Sequence, residues 1–403
     1  MTQRGHGSLA VYFGAVFAFA VTMVGTTMPT PLYPLYRGLF GFSELTITVI
    51  FAVYALGVMA ALIITGRWSD QLGRRPLLFA GLAASALSDL VFWNAGGLGM
   101  ILFGRVLSGI SAGIFTGTAT VALIELAPER IKRWGTFFAT SANMGGLGLG
   151  PMFAGALAEY LPAPLVLPYA LHFLLALLAF VCVWRAPETV VRPDKVQLKF
   201  QRLAVPREVR AAFVPAGIAA FAGFMVCGFF TAVAPAFLGE ELGYDNHLVI
   251  GFVSGILFIA STVGQLLQSN FPSGRRLPIG CAILLTGVVV IAVGLGSEML
   301  SAIIAGVLIA GFGHGVAFRA GLGAVADASP PDERASVVST FFIVAYVAIS
   351  FPVIGIGLAG ASFGLKTASL AFSAIAAVLC CLALVLLLRG GGARPQNAFP
   401  ARE

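Results

Sequence analysis

Residues 66–76, Gly-Arg-Trp-Ser-Asp-Gln-Leu-Gly-Arg-Arg-Pro, form a charged, glycine-rich segment between two long apolar runs. The segment is too polar to lie in lipid, so it predicts a loop between two membrane-spanning helices. Gly73 allows a tight turn, and Asp70 suits a helix N-terminus because the helix dipole favours an anion there. Arg74 and Arg75 can pair with carboxylates at the same membrane surface. This stretch therefore indicates a polytopic membrane protein with an ordered, charged loop.

The composition of the 403-residue chain excludes an ordinary soluble protein. Hydrophobic residues make up 59% of the chain and charged residues only 10%, whereas soluble domains are about half apolar and about a quarter charged. The net charge of +7 is scattered over short loops. Since no basic patch is present, we expect a lipid bilayer as surroundings and no nucleic-acid partner.

The five cysteines lie inside apolar runs, with no C-x-x-C pair and no histidine at metal-ligand spacing. We interpret them as packing residues and predict no disulfide, no metal site and no cofactor. The apolar run that follows the first eight residues is too long for a signal-peptide core. It is expected to remain in the protein as the first helix.

Twelve apolar segments are long enough to cross a bilayer as helices. The predicted spans are 9–36, 45–65, 77–96, 99–126, 134–160, 165–185, 211–238, 247–269, 278–296, 299–326, 336–360 and 365–388. The expected fold class is thus an all-α polytopic membrane protein.

The lysines and arginines are distributed unevenly about these spans. Only Arg37 and Lys366 fall in loops on one side, Arg105 and Arg319 lie within spans, and all the others of the 24 fall on the opposite side. Because cytoplasmic loops carry the positive excess, both termini are predicted to be cytoplasmic.

A long polar interval divides the spans six and six. Gly73-Arg74-Arg75-Pro76 recurs about 200 residues later around Gly274-Arg275-Arg276, which indicates an internal repeat without the acid corresponding to Asp70. The predicted organisation is a first six-helix bundle at 1–185, a cytoplasmic linker at 186–210, a second bundle at 211–389 and a cytoplasmic tail at 390–403.

The G-x-x-x-D-x-x-G-R-R spacing of residues 66–75 resembles the loop between helices 2 and 3 of the major facilitator superfamily, the secondary transporters built from two pseudo-symmetric six-helix halves. The resemblance covers nearly the whole chain and implies alternating access without an enzymatic activity. It also implies a cytoplasmic gate, in which Glu125 at the end of span 4 would pair with Arg74. The gate residues are then Gly66, Asp70, Gly73, Arg74, Arg75 and Glu125.

Two charged residues lie deep inside the first half. Arg105 begins an R-x-x-x-G-x-x-x-G pattern with Gly109 and Gly113 that resembles helix 4 of the superfamily, where the Arg is implicated in proton transfer or substrate binding. Asp89 lies at a similar depth in span 3, so the two could pair. A structural pair, a water-exposed acid and a proton carrier are the open interpretations of Asp89, since desolvation favours the protonated carboxyl.

Span 5 contains the spacing G-x-x-x-G-P-x-x-x-G, formed by Gly146, Gly150, Pro151 and Gly155. Small residues four apart permit close helix packing, and a proline bends a helix by removing one hydrogen bond. The pattern resembles a helix-5 motif of superfamily members that exchange substrate for protons. It favours export, although a tightly packed helix without directional meaning would show the same spacing.

Spans 1, 7 and 10 would contribute to a central path in this fold. The expected lining includes Thr26, Thr30, Tyr33, Phe224 and Phe230, and it suits an amphipathic or apolar solute. His314 and Arg319 in span 10 are costly in lipid, so they are candidates for proton coupling or substrate binding together with Asp89 and Arg105. His172 in span 6 is interpreted as a packing histidine.

The leading functional hypothesis is proton-coupled export of a small organic or drug-like molecule by a monomer in the plasma (inner) membrane of a bacterium. Span 1 lacks the acid that multidrug exporters of cations often carry, which argues against broad cation export. Proton-coupled uptake or exchange of an organic anion is the second hypothesis. A membrane-embedded enzyme or receptor is a remote third, because no catalytic motif and no large extramembrane domain is present.

Overall fold

The computed structural model describes residues 8–193 and 195–390, which form helices and loops without a β-strand. The first six crossings, α1 to α6, are Leu9–Phe40, Glu44–Thr65, Arg74–Trp93, Leu98–Leu126, 135–160 and Leu167–Arg185. The second six, α7 to α12, are Arg210–Ala232, His247–Leu267, Arg276–Ser297, Leu300–Ala328, Arg334–Phe363 and Leu365–Gly390. The predicted all-α architecture is confirmed, while the predicted tail at 390–403 lies, beyond Gly390, outside the described residues.

Eleven of these helices in the described part of the chain are long and apolar enough to cross a membrane. The remaining crossing is α5, which consists of Gly135–Thr140 and Gly146–Tyr160 joined by a π-helical turn at Ser141–Gly145. Glycine has low helix propensity, and Gly145-Gly146 stands at this junction.

Prolines explain where the helices depart from the predicted spans. In α1 the helix breaks after Thr27, passes through a 3₁₀ turn at Thr30–Leu32 and resumes to Phe40, past the predicted end at 36. Helix α7 ends at Ala232 because Pro235 has no N–H to continue the hydrogen-bond ladder.

The two halves of the bundle repeat one packing pattern. Helix α1 packs against α4, α5 and α6, and α7 packs against α10, α11 and α12 in the same way. Helices α2 and α3 pack on α4 as α8 and α9 pack on α10. The halves meet along two helix pairs, α2 with α11 and α5 with α8. This arrangement has the pseudo-twofold symmetry that the internal repeat indicates.

Glycines allow the closest of these contacts. Gly109 of α4 lies against the backbone carbonyl of Tyr54 in α2, and Gly311 of α10 lies against that of Leu257 in α8. A Cβ atom at either glycine would collide with the carbonyl, so both positions need glycine. The spacing of three glycines in α4 recurs in α10, a match that the sequence analysis missed: Gly104, Gly109 and Gly113 against Gly306, Gly311 and Gly315.

The linker between α6 and α7 runs along the end of the bundle where α2 ends and α3 begins. We call this end the linker side and the opposite end the far side. Residues 195–205 of the linker, named the linker strap below, contain neither helix nor strand. The strap is nevertheless held by hydrogen bonds, since the amide of Gln201 donates to the carbonyl of Ile63 in α2 at 2.7 Å.

Candidate functional site

The charged loop at residues 66–76 is organised around Arg74, which is 7% exposed. Its guanidinium donates Nε and Nη2 to the two carboxylate oxygens of Glu125 at 3.2 and 3.0 Å, and Nη1 lies 2.6 Å from Asp70 Oδ1. Nη1 also donates to Ser69 Oγ at 2.6 Å. Such a bidentate pair fixes the orientation of both partners, so the loop is locked onto the end of α4.

The turn that presents Arg74 depends on Gly73, whose φ of +102° belongs to the left-handed region. Gly66, at the end of α2, contacts the side chain of Gln201 in the linker strap. The Arg75 side chain donates to the carbonyl of Trp184 at 2.7 Å and pairs with no carboxylate of the described residues. The described ion pairs of this loop all lie within the first half. They therefore brace the loop and do not themselves bridge the two halves.

The start of α3 is capped from the linker. The Glu188 carboxylate accepts hydrogen bonds from the amides of Arg74 and Arg75 at 2.8 and 3.1 Å, where the helix has free N–H groups and a positive dipole end. Thr189 Oγ1 donates to Glu125 at 2.5 Å. Sequence reasoning missed this cap because a carboxylate about 110 residues away gives no local signal.

The linker strap joins the linker-side ends of α2 and α11. The amide of Gln197 donates to Gln71 Oε1 at 2.5 Å in the charged loop. In the other half, the amide of Ala204 donates to Thr340 Oγ1 at 3.0 Å, and Gln201 Nε2 lies 3.4 Å from Ser336 Oγ. The strap thus connects the charged loop of the first half to the second half.

Arg105 of α4 is 1% exposed and lies in an aromatic setting. Its Nη1 donates to the carbonyl of Thr26 in α1 at 2.7 Å, and its guanidinium carbon stands 4.4 Å from the ring centre of Tyr54. Its Nε has no hydrogen-bond partner among the residues that the structure describes. The possible pairing with Asp89 is wrong: equal depth did not bring the two side chains onto facing sides of their helices, and Arg105 turns towards α1 and α2.

Asp89 instead pairs with His172 of α6. Asp89 Oδ2 lies 2.7 Å from His172 Nδ1, while His172 Nε2 lies 2.8 Å from the carbonyl oxygen of Val21. A carbonyl only accepts, so Nε2 must carry a proton, and one further proton must lie between Nδ1 and Oδ2. The pair is then neutral as a whole whichever atom holds that proton. Gly25 makes room for the imidazole beside α1.

The glycines of α5 face two different helices. Gly146 and Gly150 lie against α1, whereas Gly155 lies against the start of α8, and Gly251 of α8 lies against Pro151. These contacts let α5 fit tightly between its own half and the other half.

Pro151 also leaves a carbonyl without its helical partner. Because Pro151 has no N–H, the carbonyl of Leu147 one turn earlier lacks its usual bond. Thr27 Oγ1 of α1 donates to that oxygen at 2.7 Å. A side chain from a neighbouring helix therefore satisfies the group that the proline exposes.

In the second half, His314 of α10 is 2% exposed and lies among aromatic rings. Its Nδ1 is 3.0 Å from Ser261 Oγ in α8, and its ring centre is 5.0 Å from that of Phe224. Within residues 8–193 and 195–390, its Nε2 has no hydrogen-bond partner. Arg319 is half-buried and donates Nη1 to the carbonyl of Gln265 at 3.1 Å. Phe230, which was expected to line the path, borders a small cavity between α7, α9 and α12 inside its own half.

The outer part of α1 is buried around the remaining lining candidates. Thr26 and Thr30 are each 2% exposed, and Thr26 Oγ1 donates to the carbonyl of Met23. Tyr33 lines a far-side cleft of about 460 Å³ between the halves. Tyr346 of α11 lies near Thr116 of α4, across the boundary between the halves.

Two polar contacts join the halves on the far side. Arg37, at the end of α1, pairs with Glu240 after α7 and also with Glu44 of α2. Glu159 of α5 accepts from the amide of His247 at 2.8 Å and so caps the start of α8. These contacts tie the two halves together on the far side of the bundle.

The family-wide sequence profile described as Major Facilitator Superfamily matches residues 15–351. Multidrug resistance protein 1 of Bacillus subtilis (strain 168) is 22% identical over 256 residues, covering 62% of this chain and 64% of the relative. Tetracycline resistance protein, class D, of Salmonella ordonez is 29% identical over 260 residues, covering 56% and 64%. The chain spans slightly less than two thirds of the length of these relatives.

Two solved structures share the fold. A bacterial homologue of the human lysosomal transporter Spinster, in an inward-facing and unoccupied conformation, superposes with a TM-score of 0.75 at 16% identity, covering 99% of this chain and 100% of that one. The human organic anion transporter MFSD10 (TETRAN) gives a TM-score of 0.65 at 16% identity over 94% and 99%. With the profile match over most of its length, the chain is a multi-pass membrane protein of the major facilitator superfamily.

Proposed function

We propose that this transporter exports a small organic or drug-like compound in exchange for protons. It would act as a monomer in a bacterial inner membrane with the linker side in the cytoplasm. The positive charge of the linker-side loops supports this orientation. The resistance functions in the names of the two relatives and the glycine and proline spacing of α5 support export.

The observation that carries the proposal is the environment of Arg105. A buried guanidinium is costly unless its donors are satisfied, and Nε of Arg105 has no acceptor in the described part of the chain. The Tyr54 ring under the guanidinium offers a flat apolar surface, and Tyr346 of the second half lies near Tyr54 and Thr116. A compound with an aromatic body and one acceptor could therefore bind here and contact both halves.

The coupled proton is assigned to His314. Its Nε2 can gain a proton without breaking an existing hydrogen bond, once the alternate conformation admits water. The Asp89–His172 pair is a poorer carrier, because loss of its shared proton would leave a net negative charge in a buried site.

A second candidate function is exchange of an organic anion. It is favoured by Arg105 and Arg319, whose side chains have backbone carbonyls and no carboxylate as hydrogen-bond acceptors among the residues described. In that case an anion that binds the protein should bind more weakly after Arg319→Ala. Unchanged anion affinity in this variant would argue against the second candidate.

The deciding experiment is compound-induced proton movement in liposomes that hold the purified protein and an internal pH dye. Lipophilic cations, neutral drugs and organic anions are added in turn. We expect compounds of one class to move protons through the unchanged protein. Arg105→Gln should abolish transport of the compound, whereas His314→Gln should keep transport of the compound and lose the proton flux. Asp332→Asn, at an exposed acid on the linker side, is the matched control and should behave like the unchanged protein.

Two outcomes would overturn the proposal. If no compound that is transported moves protons in the unchanged protein, the coupling is wrong. If His314→Gln keeps the full proton flux while Asp89→Asn loses it, the proton is carried by the Asp89–His172 pair.

A further inference from the structure

The linker strap exposes an unusual mixture of side chains for a cytoplasmic connection. Four apolar side chains are exposed along it, Val196, Leu198, Phe200 and Leu203, at 48%, 51%, 66% and 43%. Three exposed cations alternate with them, Lys195, Lys199 and Arg202. No carboxylate occurs between residues 195 and 205. A segment that served only as a spacer would have no need of large apolar groups in water.

The strap lies level with the linker-side ends of two membrane-spanning helices. Gln201 is bonded to Ile63, two residues before α2 ends, and lies beside Ser336, two residues after α11 begins. At 1.5 Å per residue this places it about 3 Å inside the ends of both helices. The exposed tryptophans Trp134 and Trp184 also lie at linker-side helix ends, where interfacial aromatic residues are expected.

The strap is held through its backbone, so its outward side chains are free to contact other molecules. The amides of Gln197, Gln201 and Ala204 make the bonds to α2, α11 and the charged loop. The side chains of Lys199, Phe200 and Arg202 make no hydrogen bond or ring contact to the described residues. Their exposure is therefore built into an anchored segment.

We propose that the linker strap is a docking surface for anionic phospholipids. The apolar side chains enter the boundary between headgroups and acyl chains, and the three cations contact lipid phosphates. The observations that favour lipid over a soluble partner are the depth of the strap and its lack of any negative charge. Because the strap also joins α2 to α11, bound lipid stabilises the arrangement of the two halves on this side.

The first test asks whether the strap touches lipid. The Phe200→Trp variant and the unchanged protein are reconstituted in phosphatidylcholine vesicles with bromine atoms near the top of the acyl chains. We expect the emission contributed by the tryptophan at position 200, obtained as the difference between the two proteins, to be strongly quenched. Unquenched emission would show that the strap faces water or a soluble partner, and the proposal would be wrong.

The second test asks whether the cations select anionic lipid. The thermal midpoint of the protein is measured in nanodiscs of phosphatidylcholine alone and with added phosphatidylglycerol. We expect phosphatidylglycerol to raise the thermal midpoint of the unchanged protein, and most of this rise to be lost in Lys195→Gln/Lys199→Gln/Arg202→Gln. The control removes the same charge from the loop between α4 and α5 and should keep the rise: Arg130→Gln/Lys132→Gln/Arg133→Gln. Equal rises in both triple variants would contradict the proposal.

Discussion

The buried pair of Asp89 and His172 makes a graded prediction for stability. The pair shares one proton and lies between α3, α6 and the backbone of α1, with side-chain exposures of 4% and 0%. His172→Phe keeps a ring beside Gly25 but leaves the Asp89 carboxyl without a partner. Removal of one member of such a buried pair lowers the free energy of unfolding by about 3–5 kcal/mol.

Asp89→Asn should be much milder. The asparagine amide can donate to His172 Nδ1, while Nε2 continues to donate to Val21, so no buried group loses its bond. We expect a cost of about 1 kcal/mol, as for an ordinary hydrogen-bond change. The double variant Asp89→Leu/His172→Phe replaces both polar groups by apolar ones and should recover most of the stability lost in His172→Phe.

The assay is the thermal midpoint of the purified protein in detergent, followed by the fraction that remains monodisperse. In a chain of this length one kcal/mol corresponds to roughly 2 °C. The expected losses are then roughly 6–10 °C for His172→Phe and roughly 2 °C for Asp89→Asn. If Asp89→Asn were as harmful as His172→Phe, the negative charge itself would be required. The argument for a shared proton in a neutral pair would then fail.

Two further predictions concern backbone groups. Gly73→Ala should lower the thermal midpoint and loosen the linker, because a side chain at a φ of +102° costs about 1–2 kcal/mol and would also meet the Glu188 carboxylate; an unchanged midpoint would show that the loop adapts. Thr27→Val should lower the free energy of unfolding by about 0.6–1.7 kcal/mol, because it leaves the Leu147 carbonyl without a hydrogen bond. The loss should be smaller in a protein that also carries Pro151→Ala, since the alanine restores the helical N–H. A double-mutant cycle on thermal midpoints measures this coupling, and purely additive effects would contradict it.

Much of the fold can be predicted from the amino-acid sequence. Apolar runs separated by short charged loops predict the number and order of the crossings, because a helix in lipid needs about 20 apolar residues. The positions of Gly73 and Arg74 could likewise be predicted as a turn and an ionic anchor, since both are local properties of one loop.

The contacts inside the bundle could not be predicted in this way. Arg105 and Asp89 lie at the same depth, but their direction depends on how each helix is rotated about its own axis. A helix that is apolar on all sides gives little sequence signal for that rotation. His172 appears as an isolated polar residue in an apolar run, and only packing of α6 on α3 reveals its partner. Phe230 shows the same limit, because Phe is as suitable for packing as for lining a path.

The bonds of the linker strap restrict how the two halves can separate. Gln201 is bonded to α2 and Ala204 to α11, and the three residue-to-residue steps between them span at most about 10–11 Å when fully extended. While both bonds persist, the linker-side ends of α2 and α11 act as one edge of a hinge. The halves then separate most at their other contact, between α5 and α8. There the π-helical turn of α5 supplies a deformable segment. The two halves would thus rotate about the α2–α11 edge, and a compound would enter or leave beside α5.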